Sequence, residues 1–434
     1  MRTVAGQSYL PLLVTLLYLL FYANLPDELN GYVYKPFTTA GTIDRTVKIL
    51  AIVVSLAVIA SRWTIVRVLI KNMNFGLVAC MVLIPMSAVW SIDRASTLLR
   101  FTTMLGLVLL CIAITVAGWN SKRFQHLALP PIMFILVASL LYGMADPASV
   151  KEIGDDISLA NSWRGITFQK NQFGMTASFG VILCLHRIIG MGKSSIWNFA
   201  GLGIAAVCLV LSRSSTSLLA TVLASFFMVL MMRVRVVKLR FTTPIVIGIF
   251  SLILIYAAAI QNLIPGMATL LKPVMQLTGK DMTFSARSII WEIIKEHSRA
   301  APWLGSGYGA YWTGETPSSP SYVFVWVMSF YPTESHNGYL EILNDLGRVG
   351  LVCLFAFLFW YVRQALQLMP LDRPQAVLFL ALLYQQMVAN LSESEWFSRT
   401  TISTLLIFGA VCLSRTLLEA RHQSRPAPLA GRRR

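Results

Sequence analysis

The chain is poor in charge. Of its 434 residues 13% are Asp, Glu, Lys or Arg, whereas 56% are hydrophobic; a soluble globular protein carries roughly twice that charged share. This excludes a soluble domain with an ordinary charged surface. Histidine is scarce, with five residues, and the six cysteines show no CxxC or zinc-ligand spacing. Cys80, Cys111, Cys184, Cys208, Cys353 and Cys412 all fall inside apolar runs, so no disulfide framework is expected. No small-residue cleavage site follows the apolar stretch from Tyr9 to Ala23, which therefore reads as a first membrane helix rather than a removed signal peptide. The two halves show no internal repeat, and the apolar runs are nearly free of charge. Both features argue against a secondary transporter, which usually has similar halves, a long central cytoplasmic loop and charges within its spans.

What the chain has in plenty is apolar runs of about 16 to 20 residues, long enough to cross a hydrocarbon core of about 30 Å. They predict an all-α polytopic membrane protein with about 12 transmembrane helices, near 8–23, 46–60, 74–90, 101–118, 127–143, 171–189, 196–211, 217–232, 242–260, 347–362, 375–391 and 400–414. An even number puts both termini on one side. With the N-terminus cytoplasmic, the cytoplasmic segments gather 20 of the 36 basic residues but only Asp372 and Glu419 among the 19 acids. That asymmetry follows the positive-inside rule. The net charge of +17 is thus a topology signal and an anionic-lipid contact, not a nucleic-acid footprint. The expected organisation is nine helices over 1–260, a large outward loop over 261–346, three helices over 347–414 and a basic cytoplasmic tail over 415–434.

The outward loops hold the candidate chemistry. In the long one, Ala286, Ile289, Ile290, Ile293 and Ile294 recur at helical spacing, with Glu292, Lys295, Glu296 and Arg299 on other faces. This predicts an amphipathic helix that lies on the membrane surface or caps the bundle. The glycines of Leu304–Gly309 do not follow a predicted strand, so they read as a tight turn beside aromatic side chains rather than a phosphate cradle. The stretch Pro332–Glu341 reads as a helix start: Ser335 as N-cap, an apolar stripe at Leu340, Ile342, Leu343 and Leu346, and Gly347 as the stop. His336 would then sit in the first turn, where the helix dipole disfavours a positive imidazole. A neutral histidine there is suited to accepting a proton, or it simply bonds a nearby carbonyl.

Four outward cations stand beside it: Arg164, Arg213, Arg287 at the start of the amphipathic helix, and Lys170 at the membrane edge. Cations at the outer ends of spans run against the charge bias and need partners. Several converging from distant parts of the chain suggest an anion held at the outer surface, and arginine is shaped to grip phosphate oxygens with paired donors. Each alone could instead snorkel to head groups or pair with Glu393 or Glu395. No histidine accompanies the acids Asp155, Asp156, Glu393 and Glu395 in sequence, so they read as solvated carboxylates, and no metal is expected.

Taken together these residues resemble the O-antigen ligase and polymerase superfamily. The resemblance lies in Ser335-His336-Asn337-Gly338-Tyr339-Leu340-Glu341 with Leu346-Gly347-Arg348-Val349-Gly350-Leu351, and in Arg164-Gly165 followed by Lys170-Asn171 and Gly174. Gly279-Lys280-Asp281, Ser285-Ala286-Arg287 with Trp291-Glu292, and Asn390-Leu391-Ser392-Glu393-Ser394 are similar to exopolysaccharide polymerases. Ser217 departs from the pattern, which would have glycine after the Ser/Arg/Thr turn. The resemblance implies a GT-C-type membrane glycosyltransferase, without metal or other cofactor, multi-pass in the bacterial inner membrane and working at the periplasmic face. Its donor would be an undecaprenyl-diphosphate-linked oligosaccharide and its acceptor a second glycan (a polymerase) or lipid A-core (a ligase). It also implies His336 as general base and Arg164, Arg213 and Arg287 as the diphosphate holders, with Lys170 beside them. Asn337, Tyr339, Glu341 and Glu393 would support the site.

Overall fold

A computed structural model describes residues 42–119, 123–151, 161–167, 169–192, 195–233, 239–260, 281–314, 316–328, 331–398 and 401–424. The expected first span at 8–23, nearly all of the loop 24–45, Asp155 and Asp156, the start of the long loop at 261–280 and the tail from 425 lie outside the described residues. Fourteen α-helices are described, in chain order: α1 Thr42–Ser61, α2 Trp63–Lys71, α3 Phe75–Met86, α4 Arg94–Ala117, α5 Phe124–Ala145, α6 Lys170–Ile189, α7 Ile196–Leu211, α8 Ser215–Arg233, α9 Leu239–Ile260, α10 Asp281–Ala300, α11 Val323–Met328, α12 Gly338–Leu368, α13 Arg373–Ala389 and α14 Thr401–Gln423. Among the described residues there is no strand; one isolated antiparallel bridge joins Lys151 to Trp163. The all-α class is as the apolar runs predict.

Five of these helices, α4, α5, α6, α8 and α12, are long and apolar enough to cross a membrane, and the pair α1 and α2, bent by 94°, makes a sixth if it is one span. Helices over 75–89, 196–211 and 242–257 are apolar but shorter. The sequence reading of about 12 spans therefore stands at five or six among the described residues. Two of the expected spans, α13 and α14, lie in the middle of the bundle. From Ala376 to Leu383 α13 is buried residue by residue, as a helix apolar on every side must be. It packs on α6, α8, α12 and α14.

Side-chain caps fix several starts: Asn74 accepts from the Leu77 amide, Asp93 from Ser96 and Asp372 from Gln375. α3 crosses α12 with backbone against backbone, because a Cβ on Gly76 would lie 2.0 Å from the Phe357 amide nitrogen. Gly347 does interrupt its helix as expected, at φ 63° and ψ −161°, but the chain resumes helix at once, so α12 is one broken rod of 31 residues. The break is enforced by packing: a Cβ there would sit 2.3 Å from the Trp303 carbonyl. The amphipathic helix expected over 286–299 is α10. It buries Ile290, Trp291, Ile294 and Ser298 against the first half of α12 and leaves Glu292, Glu296 and Arg299 exposed.

Candidate functional site

The helix that follows His336 starts two residues later than expected, and its cap is Asn337, not Ser335. The Asn337 side chain accepts from the Tyr339 and Leu340 amides, and Gly338 opens the helix. The Ser335 hydroxyl instead bonds the Asn337 carbonyl at 2.9 Å and the Ser394 hydroxyl at 3.0 Å. His336 thus lies outside the first turn, with a left-handed backbone at φ 50°. A non-glycine residue holds that conformation only where its neighbours fix it. They do: Glu341 accepts from the Ser335 amide at 2.9 Å and from the Trp312 indole at 2.7 Å, while the Trp291 indole of α10 donates to the Ser335 carbonyl at 3.0 Å.

His336 Nδ1 stands 3.3 Å from Glu334 Oε1 and 3.7 Å from Glu393 Oε2. Neither contact is aligned as a hydrogen bond, but both place a carboxylate on one ring nitrogen. This overturns the expectation of a neutral imidazole. Burial alone would lower the pKa of His336; Glu334 and Glu393 outweigh it and raise the value to about 9. The helix-dipole argument fails because the ring is not in the first turn and meets two acids instead. Glu393 is buried, which works against its charge, yet His336 and Arg287 hold its carboxyl below the usual range.

Glu393 is the hub of the site. Its Oε1 accepts from Asn171 Nδ2 at 3.0 Å and pairs with Arg287 Nη2 at 3.3 Å; Arg287 Nη1 also donates to the Ser392 carbonyl at 2.8 Å. The pairing of an outer arginine with Glu393 is therefore real for Arg287. The Thr216 and Ser392 hydroxyls meet at 2.8 Å, which ties the start of α8 to the same loop. Arg213, at φ 49°, lies in the turn just before α8, exposed and without a side-chain partner among the described residues. The Trp163 amide bonds the Leu211 carbonyl at 2.9 Å, so the Arg164 segment lies against that turn. Arg164 itself is buried and donates to the Ser149 carbonyl at 3.3 Å. Lys170 is the first residue of α6, half-buried beside Asn171.

Ser217, where the resembling pattern has glycine, keeps the turn intact. Its hydroxyl bonds Ser214 at 2.9 Å, and the room comes from Gly174, whose missing Cβ would meet Ser212 and Ser217 at 2.7 and 2.9 Å. The remaining supporting residues hold the scaffold. Tyr339 is buried, bonds the Met387 carbonyl at 3.2 Å and packs on Trp396. Glu395 bonds the Ser398 hydroxyl at 3.1 Å. The glycine turn 305–309 is a turn, as expected: the Ser306, Gly307 and Gly309 amides are spent on the Asn344 and Asp345 carbonyls and the Asp345 carboxylate, leaving no cradle for a phosphate.

Sequence reading missed Glu334, Asn171 and Trp291 as parts of the site. Glu334, two residues before His336, was the signal available. It also expected no histidine beside the acids, whereas Glu334, His336 and Glu393 offer three ligand atoms within 4.8 Å of one another, a set that could hold a metal ion. Three ligands suit an open metal site. Arg287 already neutralises Glu393 there, which suits an imidazolium between two carboxylates better than a divalent cation.

An apolar helical bundle with charged side chains from five segments gathered at one end defines a multi-pass membrane protein with a polar site at its rim. Residues 200–355 match the family model described as O-antigen ligase. The chain is also similar to the exopolysaccharide production protein ExoQ of Rhizobium meliloti (strain 1021), at 26% identity over 230 residues. That stretch covers 51% of this chain and 49% of the relative, about half of each. Together they support membership of the O-antigen ligase and polymerase superfamily. The residues that match the family model include Arg213, Arg287 and His336 but not Arg164, Asn171 or Glu393.

Proposed function

We propose that the protein is a metal-independent, inverting glycosyltransferase of the bacterial inner membrane. It moves an undecaprenyl-diphosphate-linked glycan onto a second glycan at the periplasmic face, as an exopolysaccharide-type polymerase. In this reading the chain crosses the membrane twelve times, with both termini cytoplasmic and the loop 261–346 in the periplasm. The observation that carries it is the meeting of His336, Glu393 and Arg287 on the loop that Thr216 ties to the Arg213 turn. The exopolysaccharide relative favours polymerase; the family description keeps the ligase, with lipid A-core as acceptor, as the second reading.

The chemistry follows from the charges. Glu334 and Glu393 favour the tautomer with the proton on Nδ1, which leaves Nε2 to accept the proton of the acceptor hydroxyl. As that proton moves, the acceptor oxygen bonds to the anomeric carbon and the bond to the diphosphate oxygen breaks, from the opposite face, inverting the centre. The two carboxylates stabilise the imidazolium that forms. A diphosphate is already a good leaving group, so neutralising its charge matters more than protonating it. Arg213 is open for that task, with Arg164, Arg287 and Lys170 adding positive potential around it.

The test is reconstituted protein with a lipid-linked oligosaccharide as sole substrate. Wild type should lengthen the glycan on its lipid carrier, and His336→Ala should do so about 10²–10⁴-fold more slowly. Activity that appears only on adding lipid A-core identifies the ligase. Equal rates for the variant and wild type overturn the assignment of His336.

A further inference from the structure

The opposite end of the bundle has a second cationic site that glycosyl transfer does not use. α13, 17 residues and roughly 25 Å long, separates the 390–396 loop beside His336 from the end of α12. There a cavity of about 150 Å³ opens between the end of α2, the last turns of α12 and the C-terminal part of α14. Lys71, Arg363 and Arg421 line it, and no acidic side chain does. None of the three forms an ion pair among the described residues; Arg421 donates to Gln367 at 2.8 Å, and Arg363 lies over the Trp360 ring at 4.6 Å. The floor is fixed, because buried Gln364 bonds the Asn72 carbonyl at 2.9 Å and Ser414 at 3.2 Å.

Three cations from three chain segments repel one another unless an anion stands between them. Arginine forks match phosphate oxygens, and a tryptophan beside arginine is typical of the level of lipid head groups. Next to the cavity, Phe75 and Phe359 are 60% and 66% exposed and form an apolar flank. We propose that this cavity binds a phosphate-bearing anion of the kind carried by anionic phospholipid head groups. The site is independent of the glycosyl-transfer reading.

The test uses the full chain in phosphatidylcholine bilayers with and without phosphatidylglycerol, followed by native mass spectrometry of retained lipid. In a parallel arm, inorganic phosphate is titrated against thermal unfolding in neutral detergent. Wild type should retain phosphatidylglycerol over phosphatidylcholine, and each cation removed should weaken that retention about fivefold. R363Q/R421Q should therefore lose nearly all of it. Arg94→Gln, which removes an exposed cation at the other end, should lose none. Lys71→Gln, at a helix end, gives a folded intermediate case should the double variant melt early. Protection of wild type but not R363Q/R421Q by inorganic phosphate, without lipid preference, keeps the phosphate chemistry and assigns it to a soluble source. Identical lipid retention and identical phosphate response in wild type, K71Q and R363Q/R421Q overturn the proposal.

Discussion

At the scale of the residue, the ring of His336 is a stronger base than an ordinary histidine and is mostly protonated at neutral pH. With a pKa of about 9, about 1% is neutral at pH 7, so a base mechanism gains speed as pH rises. The rate at low substrate should climb close to tenfold per pH unit from 7 and level off near 9. A rate that falls over that window would instead make the imidazolium a charge holder. Stability runs the other way. The folded value lies above the ordinary 6.5, so the contribution is complete below about pH 6.5 and is lost as pH passes 9. His336→Gln should flatten that part of the denaturation profile.

The arginines separate by the same reasoning. Arg287 pairs with buried Glu393, so Arg287→Gln leaves that carboxylate short of a partner and should cost about 3 kcal/mol in unfolding free energy. The Arg213 side chain has no partner among the described residues. Arg213→Gln should therefore move the melting midpoint little and weaken donor binding about tenfold, measured by titration with the lipid-linked donor.

At the scale of the element, the start of α12 is locked to the 390–396 loop. The Gly338 amide meets the Asn390 and Glu393 carbonyls at 2.9 and 2.8 Å, and a Cβ on Gly338 would fall 2.1 Å from Asn390 Oδ1. Gly338→Ala should destabilise by about 1–3 kcal/mol and shift His336 relative to Glu393, read as a lowered melting temperature together with lost transfer activity. Much of this element was legible in the sequence. The isoleucine spacing gave α10, and Gly347 announced the break. The cap was misassigned because Ser335 and Asn337 are both good caps two residues apart, and only the tertiary bonds of Ser335 to Ser394 settle which one serves. The ion pair to Glu393 was not legible as geometry. It joins positions 57 residues apart in sequence, and no periodicity encodes such a contact.

At the scale of the whole molecule, apolar composition announced the helical bundle, and five or six of the expected twelve spans stand among the described residues. α13, with 17 residues, is short for a lone membrane helix even though it sits in the bundle. Sidedness is open to direct measurement. Ser318 and Ser424 are both exposed, one in the long loop and one at the end of α14. In a background with the six native cysteines replaced, a membrane-impermeant maleimide added to intact spheroplasts should label Ser318→Cys and spare Ser424→Cys until the membrane is opened. The reverse pattern would put the His336 end inside.

The hub position of Glu393 also limits how this protein can be recombined. The segment that matches the O-antigen ligase model runs from residue 200 to 355, so it begins after Asn171, which bonds Glu393, and ends before Glu393, the carboxylate beside His336. A chimera that exchanges only that segment with a relative would import the histidine and leave its counter-ion to chance. Working hybrids must carry 163–171 and 390–396 as well, so the unit of inheritance here is a set of three separated stretches rather than one contiguous module.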